Sequence, residues 1–135
     1  MVQYISEIFC WSVIEMSIKN KFVQIRDGYV IRQARNAKIP TFEKSEMKRY
    51  QIVFSGRVQH VGFRLEVSEL ADRLGLTGFC KNLDNGDVLA ELQGEEKRIQ
   101  FLISFMESLK RIKITNKQIE ILGINQSETI FQRER

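Results

Sequence analysis

The sequence from residue 47 onward predicts an α+β fold in which two helices cover one face of a mostly antiparallel sheet. Three patterns lead to this fold class. One segment alternates its side chains as a strand does, two segments repeat apolar residues every three or four positions, and an Asn-Gly pair separates two strand-like runs. Helices with a single apolar face bury it most economically against one side of a sheet.

The first strand and the first helix follow each other closely. Tyr50, Ile52 and Phe54 fall two residues apart, which predicts a strand over residues 50–55. From about residue 63 the apolar period lengthens to that of a helix, as in Val67, Leu70, Ala71 and Leu74. Gly75 is a suitable residue to end this helix.

The second half of the domain begins with a hairpin. The runs LTGFCKNL and DVLAELQ flank Asn85-Gly86, the strongest short-range hairpin signal. A second helix is predicted after Gly94, with an apolar face formed by Ile99, Leu102, Ile103, Met106 and Leu109. Residues 112–121 and 129–132 are weaker strand candidates. The order βαββαβ, with the last part open to division into two strands, indicates a ferredoxin-like split βαβ plan, an α/β sandwich.

Residues 1–46 are predicted to form an N-terminal extension to a domain of residues 47–135. The polar run RQARNAKIPTFEKSEMKR gives way to YQIVFS near Met47. The segment FVQIRDGYVIR could form a weak hairpin at Asp27-Gly28, and a weak helix or a loosely ordered segment are the alternatives. Three alternatives are open for this extension: it packs on the domain or on an oligomer, it is loosely ordered, or translation begins at Met47. We expect the extension to be dispensable for activity.

Composition and charge exclude several classes of protein. Hydrophobic residues make up 43% and charged residues 28% of the chain, as in ordinary globular proteins. The net charge of +4 is spread along the chain, since residues 1–46 hold seven Lys/Arg against five Asp/Glu and the remainder fourteen against twelve. No basic stripe follows, and the strands lack a pair of exposed aromatic residues for base stacking. Nucleic acid is therefore not an expected partner.

Cysteine usage and the N-terminal segment indicate a cytoplasmic protein. Cys10 and Cys80 lie far apart and have no histidine at metal-ligand spacing, so neither a zinc site nor a disulfide framework is expected. Residues 2–18 are interrupted by Glu7 and Glu15, which is unlike a signal peptide and too polar for a membrane span.

The segment SGRVQHVGFR, residues 55–64, is typical of an anion-binding connection. It joins a strand to a helix, where unpaired backbone N–H groups converge. Gly56 and Gly62 allow tight turns and close approach of a ligand. Arg64 adds a two-pronged donor for a phosphate or a carboxylate. Taken alone, the pattern leaves an ordinary turn open, and it matches neither a Walker loop nor a dinucleotide-binding glycine pattern.

Three segments in order resemble the acylphosphatase family: SGRVQHVGFR, LGLTGFCKNLDNGDV and ELQGEE. The resemblance runs from about Met47 to the C-terminus. It implies a ferredoxin-like hydrolase that cleaves the carboxyl-phosphate bond of small acyl phosphates without a metal or a cofactor. Arg64 matches the arginine that binds the phosphoryl group, and Asn82 matches the asparagine that positions the attacking water. The implied phosphate-binding residues, largely through backbone amides, are Val58, Gln59, His60, Val61, Gly62, Phe63 and Arg64.

The resemblance also implies the partners. These are a small acyl phosphate and inorganic phosphate as product or competitive ligand, with a monomer that needs no membrane. One alternative is a non-catalytic anion-binding module that keeps the loop but turns over slowly or not at all. Another is the acylphosphatase-like domain of larger carbamoyl-transfer maturation proteins, although the chain ends where their further domains would begin. The physiological acyl group stays open.

The chain departs from the family pattern at three places. His60 stands where the family has glycine, Phe79 where tryptophan is common, and LKRIKITNKQ lacks a Gly-Pro pair. At His60 we expect a negative φ and a ring that points to solvent. The alternative is a strained positive φ, with a protonated ring that adds charge beside the phosphate. Cys80 shares a strand face with Asn82 and is expected to belong to the core.

Overall fold

The sheet of the domain has five strands and a helical layer on one face. The computed structural model describes the backbone of residues 2–134 and the side chains of residues 15–134. The elements are α1 (Val2–Asn36), β1 (Met47–Arg57), α2 (Phe63–Leu74), β2 (Thr77–Asn82), β3 (Val88–Glu95), α3 (Glu96–Ser108), β4 (Lys113–Leu122) and β5 (Phe131–Arg133). The strand order is β4-β1-β3-β2-β5. The α+β, ferredoxin-like prediction is confirmed, and the last part of the chain does form two strands.

Strand pairing places the chain connections of β1 and β2 at one end of the sheet. β1 is antiparallel to both β3 and β4, and β2 is antiparallel to β3. The short β5 is parallel to β2. Asn82, the last residue of β2, pairs with Val88, and Phe54 near the end of β1 pairs with the same Val88 on the other side of β3. The carboxyl ends of β1 and β2 therefore lie at the same edge.

One apolar core lies between the sheet and helices α2 and α3. Ile52 and Phe54 of β1 are fully buried, as their spacing predicts. The ring of Phe54 packs on the ring of Phe63 at the start of α2, with 5.0 Å between ring centroids. Burial of one large apolar side chain stabilises a fold by about 1.5–3 kcal/mol. The core thus holds both ends of the connection between β1 and α2.

Residues 2–36 form one long helix, and the hairpin alternative at Asp27-Gly28 is wrong because both residues lie within α1. A glycine inside a helix costs about 1 kcal/mol relative to alanine. Burial offsets this cost, since Val30 and Ala34 are completely buried against the domain. A two-stranded hairpin at this site would have no third strand to support it.

The end of α1 and the segment after it are also attached to the domain. Arg73 donates hydrogen bonds to the carbonyl oxygens of Ala34 and Ala37 at 2.6 and 2.7 Å, which satisfies carbonyls at the end of α1. Phe42 meets Phe101 of α3 edge to face, with 5.6 Å between the ring centroids. Dispensability of residues 1–46 stays a prediction, and these contacts weigh against it. None of the described helices is apolar enough over sufficient length to cross a membrane.

Candidate active site

The segment from the last residues of β1 to the first residues of α2 (residues 56–64), here called the cradle loop, has an unusual backbone. Gly56 has φ 118°, and a Cβ there would lie 2.2 Å from the carbonyl oxygen of Lys113 in β4. Gly62 has φ 77° and precedes the first residue of α2 without a side-chain cap. Both positions therefore need glycine, as the sequence indicated. The first glycine lies at an irregularity in the pairing of β1 with β4, and the second immediately precedes the helix.

The backbone N–H groups in the middle of the cradle loop, residues 58–62, have no hydrogen-bond acceptor among the described residues. The first turn of α2 follows directly and contributes the positive end of its dipole. Unsatisfied N–H groups at a helix start favour an anion. The loop therefore has the local structure of an anion-binding site.

A pocket of about 150 Å³ opens beside these N–H groups. Six residues that the sequence singled out line it: Val58, His60, Gly62, Phe63, Arg64 and Asn82. Gln59 and Val61 do not line it. The structure thus brings the predicted arginine and asparagine together with the cradle loop, although they are 18 positions apart in the sequence.

Arg64 is held at the pocket by the C-terminal end of the chain. Its Nη1 donates a hydrogen bond to the carbonyl oxygen of Glu134, just beyond β5. The carbonyl of Arg64 itself accepts a weak hydrogen bond from the thiol of Cys80, with 3.7 Å between sulfur and oxygen. A half-buried guanidinium so placed keeps other N–H groups for an anion in the pocket.

Asn82 stands at the end of β2 with its side chain uncommitted. The residue is half-buried and lines the pocket. Within the described residues, its side-chain amide has no protein hydrogen-bond partner. An amide supplies both a donor and an acceptor, so it can orient a water molecule from two sides. The strand end fixes the position of the amide, because Asn82 is still paired with Val88 in the sheet.

Gln59 joins the cradle loop to the hairpin that follows Asn82. Its side-chain nitrogen donates to the carbonyl oxygens of Leu83 and Asp87, both at 2.8 Å. The side chain is thus occupied with protein groups, and only its backbone N–H is available to an anion. We infer from these bonds that Gln59 keeps the loop and the asparagine at a constant separation.

The expectation of a negative φ at His60 is wrong. His60 has φ 63° and is the single non-glycine residue with positive φ among residues 2–134. The loop reverses between strand and helix here, and it adopts the left-handed conformation that a glycine would allow. The conformation costs a side-chain-bearing residue about 1–2 kcal/mol. The residue is exposed, as expected.

Cys80 lies beneath the site and belongs to the core, as expected. It is completely buried. Burial raises the pKa of the Cys80 thiol to about 12, so the thiolate needed for redox chemistry does not form near neutral pH. The side chain of Cys10 lies outside the residues whose side chains are described.

Three charged residues of the pocket had no signal in the sequence. Arg26 and Asp27 reach it from α1, and Arg133 reaches it from β5. The pocket lining therefore includes three arginines, with Arg64, against one carboxylate. For the segment that forms α1, the sequence left a helix, a hairpin and a loosely ordered segment as alternatives, and nothing in its local pattern indicates where it docks. The excess of positive charge favours an anionic ligand.

A loop with unpaired N–H groups, an arginine and an asparagine without a protein partner, on a ferredoxin-like domain, defines a small α+β protein with a pocket suited to an anion. Comparison with known proteins shows the family. The family model described as acylphosphatase matches residues 50–132, more than half of the chain. The chain belongs to the acylphosphatase family.

Individual relatives agree with this assignment. The chain is 39% identical over 89 residues to an acylphosphatase of Clostridium beijerinckii, an alignment that covers 63% of this chain and 96% of the relative. The crystal structure of acylphosphatase from Bacillus subtilis superposes with a TM-score of 0.61 at 28% identity, covering 67% of this chain and all of that one. A full-length HypF structure superposes equally well, at 25% identity, but over 13% of its length. The chain is accordingly a hydrolase of acyl phosphates at the level of its family.

Proposed function

We propose that the chain hydrolyses small acyl phosphates by attack of water on the phosphoryl group. The cradle loop and Arg64 hold that group, and Asn82 positions the water. The observation that supports this most is the meeting of three features in one pocket: unpaired loop N–H groups, a guanidinium and an amide without a protein partner. Each feature alone is common, whereas their combination supplies the groups that phosphoryl transfer to water requires: donors for the phosphoryl oxygens and a group that orients the water.

Phosphoryl transfer requires charge stabilisation more than covalent help from the protein. The negative charge is spread over three equatorial oxygens, and preorganised donors aimed at them lower the barrier. The loop supplies backbone N–H groups in fixed directions, and Arg64 supplies two parallel donors. The leaving carboxylate is a weak base, so the reaction does not depend on a strong general acid.

The attacking water needs direction because it must approach in line with the leaving group. Asn82 can accept a hydrogen bond from this water through Oδ1 or donate one to it through Nδ2. Gln59 keeps the strand end that carries Asn82 at a constant distance from the loop. Such positioning contributes to the rate by removing orientational entropy from the chemical step.

His60 does not support the alternative of a non-catalytic anion-binding module. That alternative requires the histidine, which stands in place of the family's glycine, to impair turnover. The structure shows His60 in the left-handed conformation open to glycine, with the residue exposed. The backbone needed for phosphate binding is therefore compatible with this substitution. A monomeric state, a cytoplasmic location and independence from metal ions remain part of the proposal.

Inorganic phosphate is the probe for this site. In the ¹⁵N-labelled protein, we expect a phosphate titration to shift the amide resonances of residues 58–64 most strongly, because most of these residues line the pocket and the N–H groups of residues 58–62 have no acceptor among the described residues. Chloride at equal ionic strength is the control for general charge effects. Changes confined to other regions, such as the cleft between α1 and α3, would contradict the proposed site.

A further inference from the structure

Helix α1 touches the cradle loop directly at two residues, His60 and Gly62. Arg26 donates from Nη1 to the carbonyl oxygen of His60 at 3.4 Å. Val30, one turn further on, packs against Gly62, where an added Cβ would lie only 2.7 Å from the Val30 Cγ2 atom. Val30 is completely buried. The helix therefore forms a wall of the pocket rather than a distant attachment.

Arg111 connects α1 to the residue between these two contacts. Its Nε donates to the carbonyl oxygen of Val61 at 2.8 Å, and its Nη1 donates to Oε1 of Gln33 in α1. Its Nη2 forms an ion pair with the fully buried Glu66 at 2.9 Å. Three consecutive residues of the cradle loop are thus held by α1, directly or through one side chain.

These contacts control the direction of the loop N–H groups. In a trans peptide the C=O bond and the following N–H bond point in opposite directions. A guanidinium that holds the His60 carbonyl therefore turns the N–H of Val61 the other way. Arg111 does the same for the N–H of Gly62 through the carbonyl of Val61. The N–H groups of Val61 and Gly62 are thus both oriented by a guanidinium that binds the carbonyl of the preceding residue.

Asp27 keeps the guanidinium of Arg26 in place for this contact. Its Oδ1 accepts from Nε and Nη2 of Arg26 at 3.1 and 3.0 Å, which leaves Nη1 for His60. Both side chains are about one-third exposed. The two side chains therefore form an ion pair with two hydrogen bonds that holds the Arg26 guanidinium at the edge of the pocket. His60 needs such support because its left-handed backbone is strained.

We propose that Arg26 is a positioning residue that holds the His60 carbonyl and thereby fixes the orientation of the Val61 N–H within the loop that binds the phosphoryl group. This role rests on the proposed function, because it assumes that the cradle loop binds the phosphoryl group. It makes α1 part of the working site.

The test compares Arg26→Ala with Arg32→Ala in the full chain, since Arg32 is an exposed arginine on the same helix. Inorganic phosphate is titrated while the amide resonances of the cradle loop are followed. We expect Arg26→Ala to weaken phosphate binding about fivefold, the equivalent of one modest hydrogen bond. We also expect it to shift the Val61 and Gly62 amides before phosphate is added. Arg32→Ala should do neither.

Arg26→Lys separates orientation from charge and serves if Arg26→Ala does not fold. Lysine keeps the positive charge but cannot bond Asp27 and His60 together as a planar fork. Phosphate affinity is expected to stay well below that of the wild type. Full recovery with lysine, or an Arg26→Ala affinity within twofold of Arg32→Ala, would overturn the proposal. Absence of phosphate binding at the wild-type loop would instead refute the proposed function on which it rests.

Discussion

Arg64→Lys is expected to lower the turnover of benzoyl phosphate by about 100-fold or more, the cost of losing an oriented charged donor in the transition state. A lysine ammonium is a point charge and cannot make two parallel bonds to phosphoryl oxygens. The planar guanidinium can donate to the Glu134 carbonyl and to an anion at the same time, whereas the ammonium lacks this planar arrangement of donors. Steady-state rates of phosphate release measure the loss.

The matched control for this change is Arg32→Lys, at an exposed position of α1 outside the pocket lining. It should retain the wild-type rate within a factor of two, because surface arginines contribute little to stability or to this site. Thermal unfolding of both variants should be similar. An Arg64→Lys enzyme within threefold of the wild-type rate would remove Arg64 from the mechanism.

Asn82→Ala is expected to reduce kcat by about 100-fold while leaving phosphate inhibition nearly unchanged. The change removes the group that orients the water, but the cradle loop and Arg64 remain to hold phosphate. The measurement pairs the kcat for benzoyl phosphate with the inhibition constant of inorganic phosphate. The separation of the two effects is the informative result.

Asn116→Ala in β4 is the control for this variant, since Asn116 is an exposed strand asparagine outside the pocket lining. It should leave both constants unchanged. If Asn82→Ala weakened phosphate binding as much as it lowered kcat, Asn82 would be a ligand-holding or structural residue, and the water would need another partner.

Local patterns predicted most of the domain because each element satisfies its own rule. Alternation identified β1, and the helical period identified α2 and α3 with their buried faces. The boundaries differ where pairing decides them. β1 runs from Met47 to Arg57, beyond the predicted 50–55, because β3 and β4 supply partners along its whole length. The length of a partner strand is a property of the tertiary structure, and the alternation of side chains within one segment does not predict it.

The site was predictable where the motif is continuous and unpredictable where it depends on docking. The resemblance placed Arg64 and Asn82 in one site, and the structure brings both to one pocket. Arg26 and Asp27 were missed because their position depends on how α1 docks. The helix docks by burying Val30 and Ala34, and its sequence does not indicate that these two residues are buried. The prediction of a negative φ at His60 was wrong because the geometry of the loop outweighs the ordinary preference of a side-chain-bearing residue for negative φ.

The most direct measurement of the central claim is hydrolysis of benzoyl phosphate in ¹⁸O-labelled water with a chelator present. Water oriented by Asn82 on a phosphoryl group held by the cradle loop attacks phosphorus, so the account predicts enzyme-dependent release of phosphate with the label in phosphate. Benzoate should remain unlabelled. Label in benzoate would show attack at the carbonyl carbon, and absence of enzyme-dependent release would show a phosphate-binding module without this activity. Either result would contradict the account.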